Sequence, residues 1–598
     1  MSNESYLPGG ITRRDALRLG LATGAAATLA TAGGLDALAA PPTQLNEATV
    51  AGLQAAMKSG DLSSRRLVDF YLGRTRALDQ DGPRVNTVIE VNPEAREIAS
   101  ALDAERRHHG ARGPLHGIPV LLKDNIDTHD QMQTAAGSLA LVGTPAPADS
   151  TVAKKLREAG AVILGKTTLS EWANFRSTSA TSGWSGRGGQ CNNPYLLDYN
   201  PCGSSSGSAA AASANFTAVS IGSETDGSIV CPANHSGVVG IKPTVGLVSR
   251  AGVVPISHTQ DTIGPHTRTV ADAAIVLGAI QSRTSDGRDA ATSGVPLGWR
   301  GLRSRPTNIP ADYTKFLDPD GLDGARLGVW NLGMTGALPN VLDAFNLATA
   351  AMQGAGATLI TIDFPHTADI NAGVAEILIL LYDFKVDLEK YLTGRVGVPI
   401  HNLADAIAFN SAHAAQEMPF FGQELFLLAQ AMDTSSPDAP QPQFGNMTYN
   451  QALDMDQKIG ATEGIDQVLK DNNLDAIISG TEPLSWTTDL VYGDRFTFGT
   501  STPCAIVGYP IINVPSGFVL NMPLGISFMG TAFSEPTLIK LASGFEHVYP
   551  QRHVPQFLDS LPVVPVDAND QVGQNAARAR GNQQAGTADR GDSRPMLI

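Results

Sequence analysis

Pro201-Cys202-Gly203-Ser204-Ser205-Ser206-Gly207-Ser208 runs into an alanine-rich segment, residues 209–214, and Asp226-Gly227-Ser228 follows 18 residues after Ser208. The segment from Ser208 to Asn215 reads as a helix, and Ala218 to Gly222 behind it as a strand. The same alternation extends outward. Glu47 to Asp79 predicts two helices, with apolar residues at helical spacing through Val50, Leu53 and Met57, then Leu67, Phe70 and Tyr71. Ile118-Pro119-Val120-Leu121-Leu122 predicts a buried strand, Ser150 to Ala159 an amphipathic helix, and Ala161 to Leu164 a short buried strand. Gly237 to Ile241, Ile477-Ile478 and Ile511 to Val514 predict further strands. Strands separated by helical patterns imply an α/β sheet with helices on its faces. Gly298 to Pro319, with three prolines, is a candidate loop or boundary, and Asp433 to Phe444 another loop.

So much glycine and serine beside a helix-forming run suits a backbone that must approach a ligand closely, and serine can serve as nucleophile or proton relay. Two motif matches mislead. Gly160 to Thr167 fits G-x4-G-K-[ST], but its middle residues, Ala161 to Leu164, are themselves strand-like, so their amides would be paired in a sheet rather than wrapped around phosphate. Gly203 to Gly207 fits G-x-S-x-G around Ser205, but that elbow needs an apolar strand before it, and Asp198 to Cys202 is a loop. A lysine is the better base. Lys123 ends the apolar run Leu121-Leu122, and burial disfavours a charged ammonium, so its pKa falls. A neutral lysine can take a proton from serine.

The chain has 598 residues and a net charge of −16, which argues against nucleic acid as a partner. Residues 1–40 carry Arg13-Arg14, a mild apolar stretch and Ala37-Leu38-Ala39, the pattern of a twin-arginine signal peptide. This predicts export to a periplasmic or secreted location, with no membrane association after cleavage. Residues 563–598 are polar and are expected to be a disordered tail. Of the four cysteines, Cys191 and Cys202 are the first candidates for a disulfide, against four buried thiols. The histidines are scattered, so neither a metal site nor a cofactor is expected.

Several spaced motifs together resemble the amidase signature family. They are Lys123 in Leu-Leu-Lys-Asp-Asn, Gly165-Lys166-Thr167, Cys202 to Ser208, Gly222 to Ser228, Gly237 to Thr244, Gln260 to Pro265, Gly508-Tyr-Pro, Leu524-Gly-Ile and Glu535. The resemblance implies a large mixed β-sheet core covered by helices on both faces, one domain over residues 41–562, and a variable, substrate-facing region over 300–450. It also implies an amidase with a Ser-Ser-Lys triad: Ser228 the nucleophile, Ser204 the relay, Lys123 the base. A cis peptide bond at Gly203-Ser204 and an oxyanion hole from the backbone N–H groups of Thr225, Asp226, Gly227 and Ser228 go with it.

Asp226 and Val230, where most members carry glycine and arginine, resemble the bacterial peptide amidase branch. So do Glu171 to Arg176, Gly183-Trp184-Ser185, Leu381 to Lys385, Phe409-Asn410 and Phe421 to Glu424. That branch removes the C-terminal amide of peptides, so the expected partner is a peptide amide or another small-molecule amide. Asp226 and Asn174 are candidate substrate contacts, although Asp226 could equally only brace its loop. Other readings are an amidase for aryl or aliphatic amides, and a catalytically idle binding protein on the same fold.

Overall fold

Five residues that are apolar or end in a lysine stem, Pro119–Lys123, form the strand around which the molecule is arranged, and every one of them is buried. A run without alternation suits a strand covered on both faces. In the computed structural model, which describes residues 45–294 and 305–562, this is strand β2 of an 11-stranded sheet. The strands are β1 (Val88–Val91), β2, β3 (Val162–Thr167), β4 (Val219–Glu224), β5 (Val239–Lys242), β6 (Thr262–Thr267), β7 (Arg326–Val329), β8 (Thr358–Thr361), β9 (Ala476–Gly480), β10 (Ile511–Val519) and β11 (Met522–Met529). Their order across the sheet is β1-β3-β2-β4-β6-β5-β10-β11-β9-β7-β8. The sheet is mixed. β2 runs parallel to both its neighbours, β3 and β4, whereas β6 pairs antiparallel with β4 and β5.

The expected helix pair forms as α1 (Val50–Ser59) and α2 (Ser64–Arg74), whose buried residues include Val50, Leu53, Met57, Leu67 and Tyr71. Thr49 and Ser63 cap them with side-chain hydrogen bonds, the usual solution for unpaired first-turn amides. The serine-glycine run becomes α3 (Ser206–Ser213), all eight residues of which are buried. It is built of small residues because it lies against backbone: a Cβ on Gly207 would stand 2.4 Å from the Thr87 carbonyl oxygen and 2.6 Å from that of Thr168.

The strand at Ala161 to Leu164 is longer than expected and takes in Gly165, Lys166 and Thr167, so the phosphate-loop match is sheet backbone. Strands β6 and β11 were not foreseen, because each carries Gly and Pro in its interior. β5 pairs β6 only at Val239↔Thr267 and Gly240↔His266, so the ladder on that side stops short of Pro265. Residues 305–319 form a loop with one 3-10 turn, and Ile309 and Tyr313 pack into the same core as β2, so no domain boundary falls there. The signal segment expected over 1–40, residues 295–304 and the tail 563–598 lie outside the described residues. Among the described residues no helix is long and apolar enough to cross a membrane.

Gly264 of β6 shows how tightly the sheet is packed near its middle. A Cβ there would stand 1.8 Å from the Ile241 carbonyl oxygen, a backbone atom that cannot swing aside. Gly264→Ala is expected to cost about 1–3 kcal/mol, read as a lower urea midpoint at unchanged slope.

Candidate active site

The carboxyl ends of the parallel neighbours β2 and β4 lie side by side, at the end of the strands where open α/β sheets place ligands. Lys123 is the last residue of β2 and is fully buried. Its Nζ donates to Ser204 Oγ at 2.8 Å, to Ser223 Oγ at 3.0 Å and to the Ser223 carbonyl at 3.1 Å. Asn125 Nδ2 also donates to Ser223 Oγ, at 2.9 Å. Burial pushes the Lys123 ammonium down to about 7, against the opposing pull of the Asp261 and Glu224 carboxylates. The lysine is therefore near the balance between its charged and neutral forms at neutral pH.

Ser204 lies in the loop ahead of α3, fully buried, and the Gly203–Ser204 peptide is cis. Ser228 lies in the turn between β4 and α4 (Val230–His235), 2% exposed. The two serine turns touch: the Ser205 N–H donates to the Ser228 carbonyl at 3.2 Å. The remaining serines of the first turn are spent on structure. Ser205 Oγ donates to the Ser223 carbonyl, Ser206 Oγ to the Cys202 carbonyl and Ser208 Oγ to the Ile221 carbonyl. Ser205 is thus not an elbow nucleophile, and Lys166 is held by the Ile126 carbonyl and Thr134 Oγ1.

The amides of Thr225, Asp226, Gly227 and Ser228 have no acceptor among the described residues, although all four residues are buried. Buried N–H groups are almost always paired, so four unpaired in succession could receive an oxygen. The turn is held from outside. Thr225 Oγ1 donates to Asp261 Oδ1 at 2.6 Å, and Glu224 Oε2 accepts the Ile229 and Val230 amides just beyond.

Asp226 takes the bracing role. Its Oδ1 accepts Ser501 Oγ at 2.5 Å and its Oδ2 accepts Thr502 Oγ1 at 2.7 Å. It also hydrogen-bonds Glu376, which in turn accepts Gln260 Nε2 at 2.9 Å. Each carboxylate oxygen thus has a partner within the protein, as the loop-bracing alternative expects. Glu376, Ser501 and Thr502 were missed because nothing local in the sequence ties them to the serine turns. Asn125 and Gln260 stood inside the motifs already noted, and their amides are the signal that could have found them.

Asn174 ends a left-handed run, Trp172, Ala173 and Asn174, with φ of 49°, 55° and 71°. Its Nδ2 donates to Ser182 Oγ at 3.0 Å, and that hydroxyl lies 2.9 Å from where a Cβ on Gly203 would stand. The buried Asn174 Oδ1 has no hydrogen-bond partner among the described residues, which leaves an acceptor beside the Gly203–Ser204 turn.

The cysteine expectation is corrected. Cys202 is joined to Cys231, and Cys191 and Cys504 are buried free thiols. Residues between Cys191 and Cys202 are drawn away, Leu196 bridging Leu558 and Tyr195 Oη bonding the His553 carbonyl, while contact of the two serine turns brings Cys202 to Cys231. Of groups that could ligate a metal, His258 gathers Asp383 and Asp387, but its Nδ1 lies 2.9 Å from Asp387 Oδ2 in an ion pair. Despite burial, the two carboxylates push this imidazole up to about 9.

The amidase family profile matches residues 66–539. The chain belongs to the amidase signature family. It is 45% identical to the X-ray structure of native peptide amidase from Stenotrophomonas maltophilia, with a TM-score of 0.78, covering 86% of this chain and 99% of that one. It is 41% identical to a protein of Arabidopsis thaliana described as a probable amidase, over 86% of this chain and 92% of the relative. A protein of Schizosaccharomyces pombe described as a putative amidase is 36% identical over 86% of this chain and 87% of its own length. The enzyme is accordingly an amidase, a hydrolase of C–N bonds, on the expected large mixed sheet. These relatives also overturn the expectation of export. The curated ones come from a plant and a fungus, nothing in their descriptions marks export, and a periplasmic address is withdrawn.

Asp226 and Glu376 make a test of the bracing. Burial raises both pKa values; the Ser501 and Thr502 hydroxyls draw Asp226 back, and the Asp226 charge drives Glu376 well above the usual carboxyl range. The native pair therefore keeps a proton that the unfolded chain releases above roughly pH 4.5, so its contribution to stability falls as pH rises. Glu376→Gln is expected to flatten the decline in urea stability between about pH 5 and 8; an unchanged slope would show that the two carboxyls do not share a proton.

Proposed function

We propose that this amidase hydrolyses the C-terminal carboxamide of peptides, releasing ammonia through an acyl-enzyme on Ser228. One observation carries the mechanism: a fully buried lysine, drawn to about 7 by desolvation, is hydrogen-bonded to Ser204 at 2.8 Å beside a turn of four unpaired amides. Neutral Lys123 accepts the Ser204 hydroxyl proton while Ser204 accepts that of Ser228. Ser228 Oγ attacks the carboxamide carbon, and the developing oxyanion is held by the N–H groups of Thr225, Asp226, Gly227 and Ser228. The C–N bond then breaks, and the proton on Lys123 returns through Ser204 to the nitrogen, which leaves as ammonia. Water, deprotonated along the same path, attacks the acyl-enzyme; its C–O bond to Ser228 breaks, giving a free carboxylic acid and restoring the serine.

The peptide assignment draws support from likeness to the Stenotrophomonas maltophilia peptide amidase across 86% of this chain. It draws support too from Asn174 Oδ1, a buried acceptor beside the relay turn that suits a substrate amide N–H. The substrate partner is a peptide amide, and the mechanism needs no cofactor.

Three outcomes follow. Purified enzyme should release ammonia from a peptide amide and none from the matching free acid; turnover confined to aryl or aliphatic amides would reassign the substrate. Ser228→Ala should lower kcat by on the order of 10⁵-fold, and Lys123→Ala by about 10²–10⁴-fold. Because the base must be neutral, kcat/KM should rise as pH increases through about 7, and a profile flat from pH 5.5 to 8.5 would remove Lys123 from the proton path.

A further inference from the structure

Cys202 stands two residues before Ser204, and Cys231 three residues after Ser228. The disulfide between them, with a Cα–Cα distance of 5.9 Å, therefore ties the relay turn directly to the nucleophile turn. The tie acts close to the chemistry. The Cys231 N–H donates to the Gly227 carbonyl at 2.8 Å, and Gly227 belongs to the run of unpaired amides. On the other side, the Cys202 carbonyl accepts Ser206 Oγ, and Asn200 Oδ1 accepts the Cys202 N–H at 2.8 Å, so the relay turn is fixed on both flanks of the half-cystine. Apart from this bridge, the backbone link between the turns among the described residues is the single hydrogen bond from Ser205 to Ser228. Both sulfurs are fully buried and pack against Trp486 and the partly buried Phe496.

We infer that the Cys202–Cys231 disulfide is a positioning cross-link that sets the approach of Ser204 to Ser228, so that breaking it slows attack by Ser228 without unfolding the enzyme. The inference rests on the proposed roles of the two serines. A disulfide that only staples the chain would lower stability when removed, while leaving the rate constant of the folded enzyme alone. A positioning cross-link behaves otherwise, because a displacement of about 1 Å between reacting groups costs up to about 100-fold in rate. Opening the bridge with a dithiol is balanced. The S–S bond breaks, each cysteine sulfur takes one hydrogen from the reagent, and the reagent is oxidised to its own cyclic disulfide.

The experiment uses the full chain and three readings: alkylated cysteines counted by mass after denaturation without reductant, the rate of Ser228 modification by a sulfonyl fluoride, and kcat and KM on a peptide amide. The expected count is two alkylated cysteines, Cys191 and Cys504, rising to four after reduction. In a folded Cys202→Ala/Cys231→Ala variant, or Cys202→Ala/Cys231→Val should the first not fold, modification of Ser228 and kcat should both fall about 10- to 100-fold, with KM within about twofold. Four alkylated cysteines without reductant, or an unchanged modification rate in a folded variant lacking the bridge, would overturn the inference. Absence of sulfonyl fluoride modification at Ser228 in oxidised wild type would instead overturn the mechanism on which it rests.

Discussion

A lysine ammonium taken wholly out of water is the constraint around which this amidase is built. β2 is covered on both faces, so the residue at its end enters a dry interior, and desolvation works against its charge. What keeps Lys123 in place is a set of three oxygen acceptors, one on Ser204 and two on Ser223. Without that set the buried amine would be an unpaired polar group; with it, the same burial that costs stability yields an amine that changes charge near neutrality. The neighbouring carboxylates of Asp261 and Glu224 limit the fall.

The turn that carries Ser228 is stiffened from several directions at once. Asp261 holds Thr225, Glu224 holds the amides beyond Ser228, and Asp226 is pinned by Ser501, Thr502 and Glu376. These braces come from β4 itself, from the segment before β6, from the helix Val374–Thr393 and from the region near Thr502. Four amides can stay unpaired in a buried turn only if the turn cannot relax to find acceptors of its own, and bracing from four parts of the chain supplies that rigidity.

Much of this was legible in the sequence where chemistry is local. Leu121-Leu122-Lys123 announces a buried strand ending in a lysine, and the two serine-glycine turns announce close backbone approach; both lie where expected. The strand-like character of Ala161 to Leu164 was enough to reject the phosphate loop, and the strand extends further, to Thr167. Long-range pairing was not legible. Cys191 and Cys202 are neighbours in sequence, yet Cys202 pairs with Cys231, because contact between the serine turns decides which sulfurs meet. The partners that brace Asp226, namely Ser501, Thr502 and Glu376, are remote in sequence and could not be read from it. Strands β6 and β11 hid behind interior Gly and Pro, whose local signal is that of a turn.

The account stands on the protonation state of Lys123, which can be read directly. With lysine ε-carbons isotopically labelled and the Lys123 signal assigned by its loss in Lys123→Met, an NMR titration of the free enzyme follows this amine alone, separate from the buried Lys166 and Lys242. A midpoint near 7 is the expected result. A midpoint in the ordinary lysine range, about 10 or above, would leave Lys123 charged at neutral pH and contradict its role as the base.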